Sequence, residues 1–204
     1  MDTFILRGSF TGKMTDEEFL KFCLDNPELR IERNSNLEIV IMSPATSLSS
    51  FFSGEIFKLL SVWNDEKLSG VTFDASAGFT LLDRSVLSPD ACWIRLDRWS
   101  ALTDKQQSSF APLCPDFIIE VRSKSDQLSE LRGKMKIWIK NGAQIGWLID
   151  PLDETIYIYR PGQSELILEG FNQSIRTEDH IAAGFTLDLS RLKQKSNILN
   201  KKPL

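Results

Sequence analysis

The chain has 204 residues, 42% hydrophobic and 25% charged, the composition of one ordinary globular domain long enough to bury a core. Its 24 Lys and Arg against 28 Asp and Glu give a net charge of −4, so there is no bulk electrostatic attraction for phosphate polymers or anionic membranes. No apolar run approaches the roughly 20 residues of a membrane span.

The opening MDTFILRGSF has neither the basic nor the apolar region of a signal peptide, and a cytosolic protein is expected. GSFTGKM superficially suggests a phosphate loop, but it has three residues between its glycines instead of four and no Ser or Thr after Lys13. TDEEFLKFCLDNP predicts a short helix, with Thr15 and Glu18 as a capping box and Pro27 as its stop. LRIERNSNLEIVIM reads as a hairpin around Asn34, Ser35 and Asn36. A longer helix follows from about Ser47 to Glu66, its apolar positions at helical spacing.

Extended segments come next in series: VTFDA, GFTLL, SPDACWI and, after a polar connection through KQQSS and Pro115, DFIIEVR. The sheet centre is expected here. Residues 126 to 141 read as a second long helix, stopped at Asn141-Gly142. QIGWLID, TIYIY and ELILE predict a strand followed by a hairpin. One α/β domain with a mixed sheet is expected over residues 1 to 192, with 193 to 204 as a frayed polar tail.

Cys23, Cys92 and Cys114 are odd in number and widely spaced, which fits core thiols rather than disulfides or a zinc site. His180 is the single histidine, so mechanisms needing two imidazoles are excluded. A metal would have to be held by carboxylates, which favours Mg²⁺ or Mn²⁺ over zinc. The five tryptophans carry no basic interleaving and fit core or boundary positions better than base-stacking platforms.

Two acids stand out. The pleat of DFIIEVR sends Asp116, Ile118, Glu120 and Arg122 to one face, which makes Glu120 a carboxylate in an apolar strand. A Glu–Arg pair at the strand end is the plain alternative. Asp90 follows Pro89 at the start of another apolar strand, where a turn role is the plain alternative. Together the two acids can hold one divalent cation.

Helical angles test which lysine reaches them. With Leu131 at zero and about 100° per residue, Leu128, Met135 and Trp138 define the buried stripe, and Lys134 at about 300° borders it beside Gln127 at about 320°. Lys136 and Lys140 face solvent. Lys134 can lay its stem on the sheet and bring its ammonium to the acids, or simply snorkel. Lys124, in the SKSD turn, is a second candidate cation whose plain reading is a solvated loop lysine.

The order MSPATS, SPDACWI and PDFIIEVRSKSDQLSELRGKMKIWIKNGAQIGWLIDP resembles the Uma-two family of restriction-endonuclease-like proteins, common in cyanobacteria, over residues 15 to 190. The resemblance implies a PD-(D/E)XK-type core: a mixed sheet with flanking helices and additional β-hairpins. It implies a Mg²⁺-dependent endonuclease acting on DNA, with Asp90 as the Pro-Asp acid, Glu120 as the second acid and Lys134 as the lysine moved to the following helix. Arg122 stands where the standard motif has lysine. It cannot act as a base, but it can stabilise phosphorane charge. Glu55 resembles a further metal-binding acid, and a homodimer is implied for duplex cutting. The alternatives are an inactive nuclease-fold protein used for binding or assembly, which the acidic pI of 5.2 favours, and a hydrolase of small phosphoesters.

Overall fold

The computed structural model describes residues 3–6, 11–178 and 180–200. In chain order the strands are β1 (Thr3–Leu6), β2 (Arg30–Arg33), β3 (Ile39–Met42), β4 (Gly70–Asp74), β5 (Phe79–Thr80), β6 (Val86–Leu87), β7 (Ala91–Arg95), β8 (Phe117–Val121), β9 (Ile145–Asp150), β10 (Thr155–Tyr159), β11 (Leu166–Glu169), β12 (Ser174–Arg176) and β13 (Thr186–Asp188). The helices are α1 (Asp16–Asp25), α2 (Ser47–Lys67), α3 (Leu96–Ser100), α4 (Asp104–Gln107), α5 (Leu128–Lys140) and α6 (Leu189–Asn200).

The main sheet has six strands in the order β11-β10-β9-β8-β7-β4. Only β8 and β9 pair in parallel, as expected of two strands joined by the crossover helix α5; the other neighbours are antiparallel. This is the expected mixed sheet. Alternation along β8 divides the core: Phe117, Ile119 and Val121 pack with α2 through Phe52, Ile56 and Leu60, whereas Ile118 faces α5 with Met135 and Trp138. Both faces are covered, so all five residues of β8 are buried, the charged Glu120 included.

A second sheet, β1-β3-β2-β6-β5, lies around a smaller core of Phe19, Ile39 and Val86. The predicted hairpin is β2 and β3, with Arg33 opposite Ile39, and the predicted capping box is present at α1, where Thr15 Oγ1 accepts from the Glu18 amide and Glu18 Oε2 from the Thr15 amide. Arg33 is fully buried, stacked 4.9 Å over Phe19 and paired with Asp16 at 2.5 Å. α2 runs as expected, one residue longer, and is tied to the main sheet by Asn64. Its side chain donates to Gly70 O at 2.9 Å and accepts from Trp93 Nε1 at 3.0 Å. Gly70 has to be glycine, since a Cβ there would lie 2.2 Å from Ile94 O.

Several expectations are corrected. GFTLL contributes only Phe79–Thr80, and to the second sheet. The polar connection after β7 holds α3 and α4, the latter with its own capping box between Thr103 and Gln106. α5 starts at Leu128 because Asp126 Oδ2 accepts from the Ser123 amide at 2.7 Å, closing a turn before the helix. The segment from 193, expected to fray, is helical to Asn200. Leu189 and Leu192 anchor α6 in the core, and Lys193 and Lys195 pair with Glu154 and Glu55. Of the GSFTGKM segment, Thr11–Lys13 is one turn of 3-10 helix and Gly8 to Phe10 lie outside the described residues. Trp93, Trp138 and Trp147 are core residues, as expected. No helix among the described residues is long and apolar enough to cross a membrane.

Candidate active site

The register of β7 on β8 sets Ala91 opposite Ile119 and Cys92 opposite Ile118. One step further along, Asp90 falls opposite Glu120, and directly opposed residues share a face of a sheet. Asp90 is fixed where β7 begins: its Oδ2 accepts from the Val121 amide at 2.8 Å, so the carboxylate caps the backbone donor next to Glu120.

α5 crosses this face and supplies two donors one turn apart. Trp138 Nε1 donates to Glu120 Oε1 at 2.9 Å, and Lys134 Nζ reaches the same oxygen at 3.0 Å. Lys134 also donates to Ser88 O at 2.8 Å and to Glu32 Oε1 at 3.1 Å, while that oxygen of Glu32 accepts from the Ser88 amide at 2.9 Å. All three ammonium protons thus have acceptors. The helical-angle reading of Lys134 is correct, and a freely snorkelling lysine is excluded.

These side chains line a cavity of about 170 Å³, together with Arg30, Asp126 and Glu130. At about 30 Å³ per water the space accommodates an ion with several waters. Burial pushes the Glu120 carboxyl up to about 7, with Asp90 and Glu32 raising it further against the lowering effect of Lys134 and Trp138. Burial likewise raises Asp90, opposed by the Val121 amide, Lys134 and Arg30. For Lys134, burial works to lower the pKa, but the charges of Glu120, Glu32 and Asp90 outweigh it and hold the amine well above the ordinary lysine range.

Among the described residues, no group of three or more His, Cys, Asp or Glu could hold a metal ion through protein ligands alone. The donor set fits a different mode. Mg²⁺ is commonly bound through one or two carboxylates, with water and substrate phosphate completing an octahedron, and Asp90 and Glu120 line one wet, oxygen-rich cavity.

Two expected site residues are elsewhere. Arg122 is paired with the fully buried Asp150 at 2.6 Å and with Asp153 at 2.9 Å, and it does not line the cavity. Glu55 lies on the side of α2 that meets α6, paired with Lys195 and Lys58. Lys124 is an exposed turn residue, in line with its plain reading. Burial drives the Cys23 thiol to about 11 and Cys114 to about 12, so neither offers a thiolate near neutrality. His180 sits on an exposed turn 3.8 Å from Glu178. Glu32 is the site residue that sequence reasoning missed. The only local signal for it was an acid alternating with Ile31 and Arg33 in a short strand.

The family model described as "Putative restriction endonuclease", Uma2, matches residues 16–190. The chain belongs to the Uma2 family. This is the family that the order of motifs resembles. A Uma2-type fold is also found in a crystal structure described as "a putative nuclease belonging to DUF820 from Anabaena variabilis ATCC 29413". It is similar with a TM-score of 0.72 over 90% of this chain and 99% of that one, at 20% identity. That likeness establishes a restriction-endonuclease-like fold for this Uma2 chain. Among curated proteins none matches it.

Proposed function

We propose that this Uma2 protein is a Mg²⁺- or Mn²⁺-dependent endonuclease that hydrolyses DNA phosphodiester bonds, with Asp90 and Glu120 as the metal-binding acids. The observation that carries the reading is the convergence of Asp90, Glu120 and Lys134 on one cavity. Buried carboxylates with raised pKa values are what a divalent cation would stabilise, and such perturbed groups cluster at functional sites. When bound, the cation would polarise a phosphoryl oxygen and acidify a water.

The chain's own groups then have separable tasks. Asp90 is held in place by the Val121 amide. Glu120 is near its midpoint at neutral pH and exchanges a proton for a cation at little cost. Lys134 stays protonated, so it serves as a fixed positive charge for the phosphate or a donor to water, not as a base. Glu32 orients that ammonium. Arg122, committed to Asp150, and Glu55, committed to Lys195, have no part in this reading.

The test is cleavage of supercoiled plasmid in Mg²⁺ or Mn²⁺ by wild type, Asp90→Ala and Glu120→Ala. Nicking by wild type alone is the expected result; equal activity in all three removes the acids from the mechanism.

One observation favours a second reading, a nuclease fold retained for binding or assembly. Lys134 already neutralises Glu120 and Glu32 from within the chain. On that reading neither metal ion produces any nicking, although the fold is intact.

A further inference from the structure

A groove of about 850 Å³ adjoins the acid cavity, bordered by residues of α1, β2 and α2. Arg30, Met42, Ala45 and Asp90 line both spaces, so the groove leads directly to the carboxylate of Asp90. Its volume falls within the roughly 300–1,000 Å³ of small-ligand pockets. Leu20, Leu29 and Ile31 make much of its wall apolar, and Phe57 and Phe110 add half-buried rings. Its charged lining is Glu28, Asp74 and Asp90 against a single cation, Arg30.

That lining selects among nucleic acids. A duplex presents two phosphate strands and keeps its base faces stacked inside, so it gains little from an apolar groove with one cation among three carboxylates. An unpaired strand offers free base faces, which stack on aromatic rings whatever the sequence, and a single line of phosphates.

α2 supports the same occupant. Ser50, Ser53, Gly54 and Phe57 line the groove at the i, i+3, i+4, i+7 spacing of one helix face. A Cβ on Gly54 would meet nothing within 4 Å, so packing does not demand glycine there. Glycine inside a helix of 21 residues is unfavourable. Here its missing side chain keeps the groove wall open.

We infer that the groove takes unpaired nucleotides of a DNA strand or tail, with bases against Phe57 and Phe110 and one phosphate at Arg30, leading the next phosphate to Asp90. For its chemistry the inference rests on the phosphodiesterase reading above. It makes the substrate a single-stranded or tailed DNA rather than a blunt duplex.

The test is fluorescence anisotropy in Ca²⁺ buffer with a labelled oligodeoxythymidine of about 8 nucleotides, within the range of single-strand sites, and a blunt duplex of equal length. Wild type, Gly54→Leu and Ser50→Leu are compared. Gly54→Leu adds helix propensity, so its melting temperature is expected to hold or rise. Wild type is expected to bind the single strand at least about tenfold more tightly than the duplex, and each variant to lose about tenfold, the scale of one lost base stack. Equal affinity for duplex and strand, no strand binding, or variants that bind like wild type would overturn the inference. Cleavage in Mn²⁺ separates the two claims. Strand binding that is sensitive to Gly54→Leu, with no DNA cut, upholds the groove and overturns the phosphodiesterase reading. Duplex cleavage by Gly54→Leu at the wild-type rate does the reverse.

Discussion

Glu32 and Lys134, 102 residues apart in the chain, meet at 3.1 Å and join the second sheet to the helix that covers the main one. The contact closes the acid cavity. It also places a buried cation between two buried carboxylates, where removing one member leaves an uncompensated charge.

Lys134→Met is therefore expected to destabilise the fold by about 3–5 kcal/mol, the usual cost of breaking a buried pair from one side. Adding Glu120→Gln should recover part of that loss, because the remaining buried charge is neutralised. Urea denaturation of the singles and the double gives the coupling. Strict additivity would mean that the two side chains do not interact.

The pH dependence has a definite sign. Glu120 rises from 4.5 in the unfolded chain to about 7 in the fold. Its contribution to stability is fully present below 4.5, where both states are protonated, and is lost as pH climbs through about 7. Wild type minus Glu120→Gln should thus show a stability difference that falls between pH 4.5 and 7, by at most about 3 kcal/mol. Denaturation midpoints at pH 5 and pH 8 measure it. A difference independent of pH would place the Glu120 carboxyl near its ordinary value.

Arg122→Ala separates a structural arginine from one that meets substrate. Asp150 is fully buried, and losing its partner should cost about 3–5 kcal/mol in thermal or chemical denaturation. A stable Arg122→Ala protein with impaired DNA cleavage would instead return Arg122 to the phosphate.

Trp138→Phe keeps the ring but removes the indole donor to Glu120 Oε1. That bond favours the charged carboxylate, so the Glu120 midpoint should move upward in the variant. The same pH comparison reads the shift. An unmoved midpoint would show that Trp138 acts on Glu120 through packing alone.

Asp90, Glu120 and Lys134 were legible because strand alternation and helical angle are local periodicities, and each fixes a face. Glu32 was not, since its burial comes from α5 and from Ser88, which the hairpin's own pattern does not record. Arg122 misled for a related reason. The pleat assigns it to the face of Glu120, but β8 ends at Val121, and Asp150 of the parallel neighbour captures the guanidinium. Glu55 lies two residues from Ser53, about 200° around α2, and so turns from the groove towards α6. The C-terminal segment hid its helix because two leucines anchor it and the rest of its surface is polar.

The central claim, that the carboxylates of residues 90 and 120 take up a divalent cation, is tested most directly by calorimetric titration of Mn²⁺ at pH 8. The account predicts saturable binding to the wild-type protein, and its loss in Asp90→Asn/Glu120→Gln with the fold preserved. Absence of binding at millimolar Mn²⁺, or equal binding by both proteins, would contradict it.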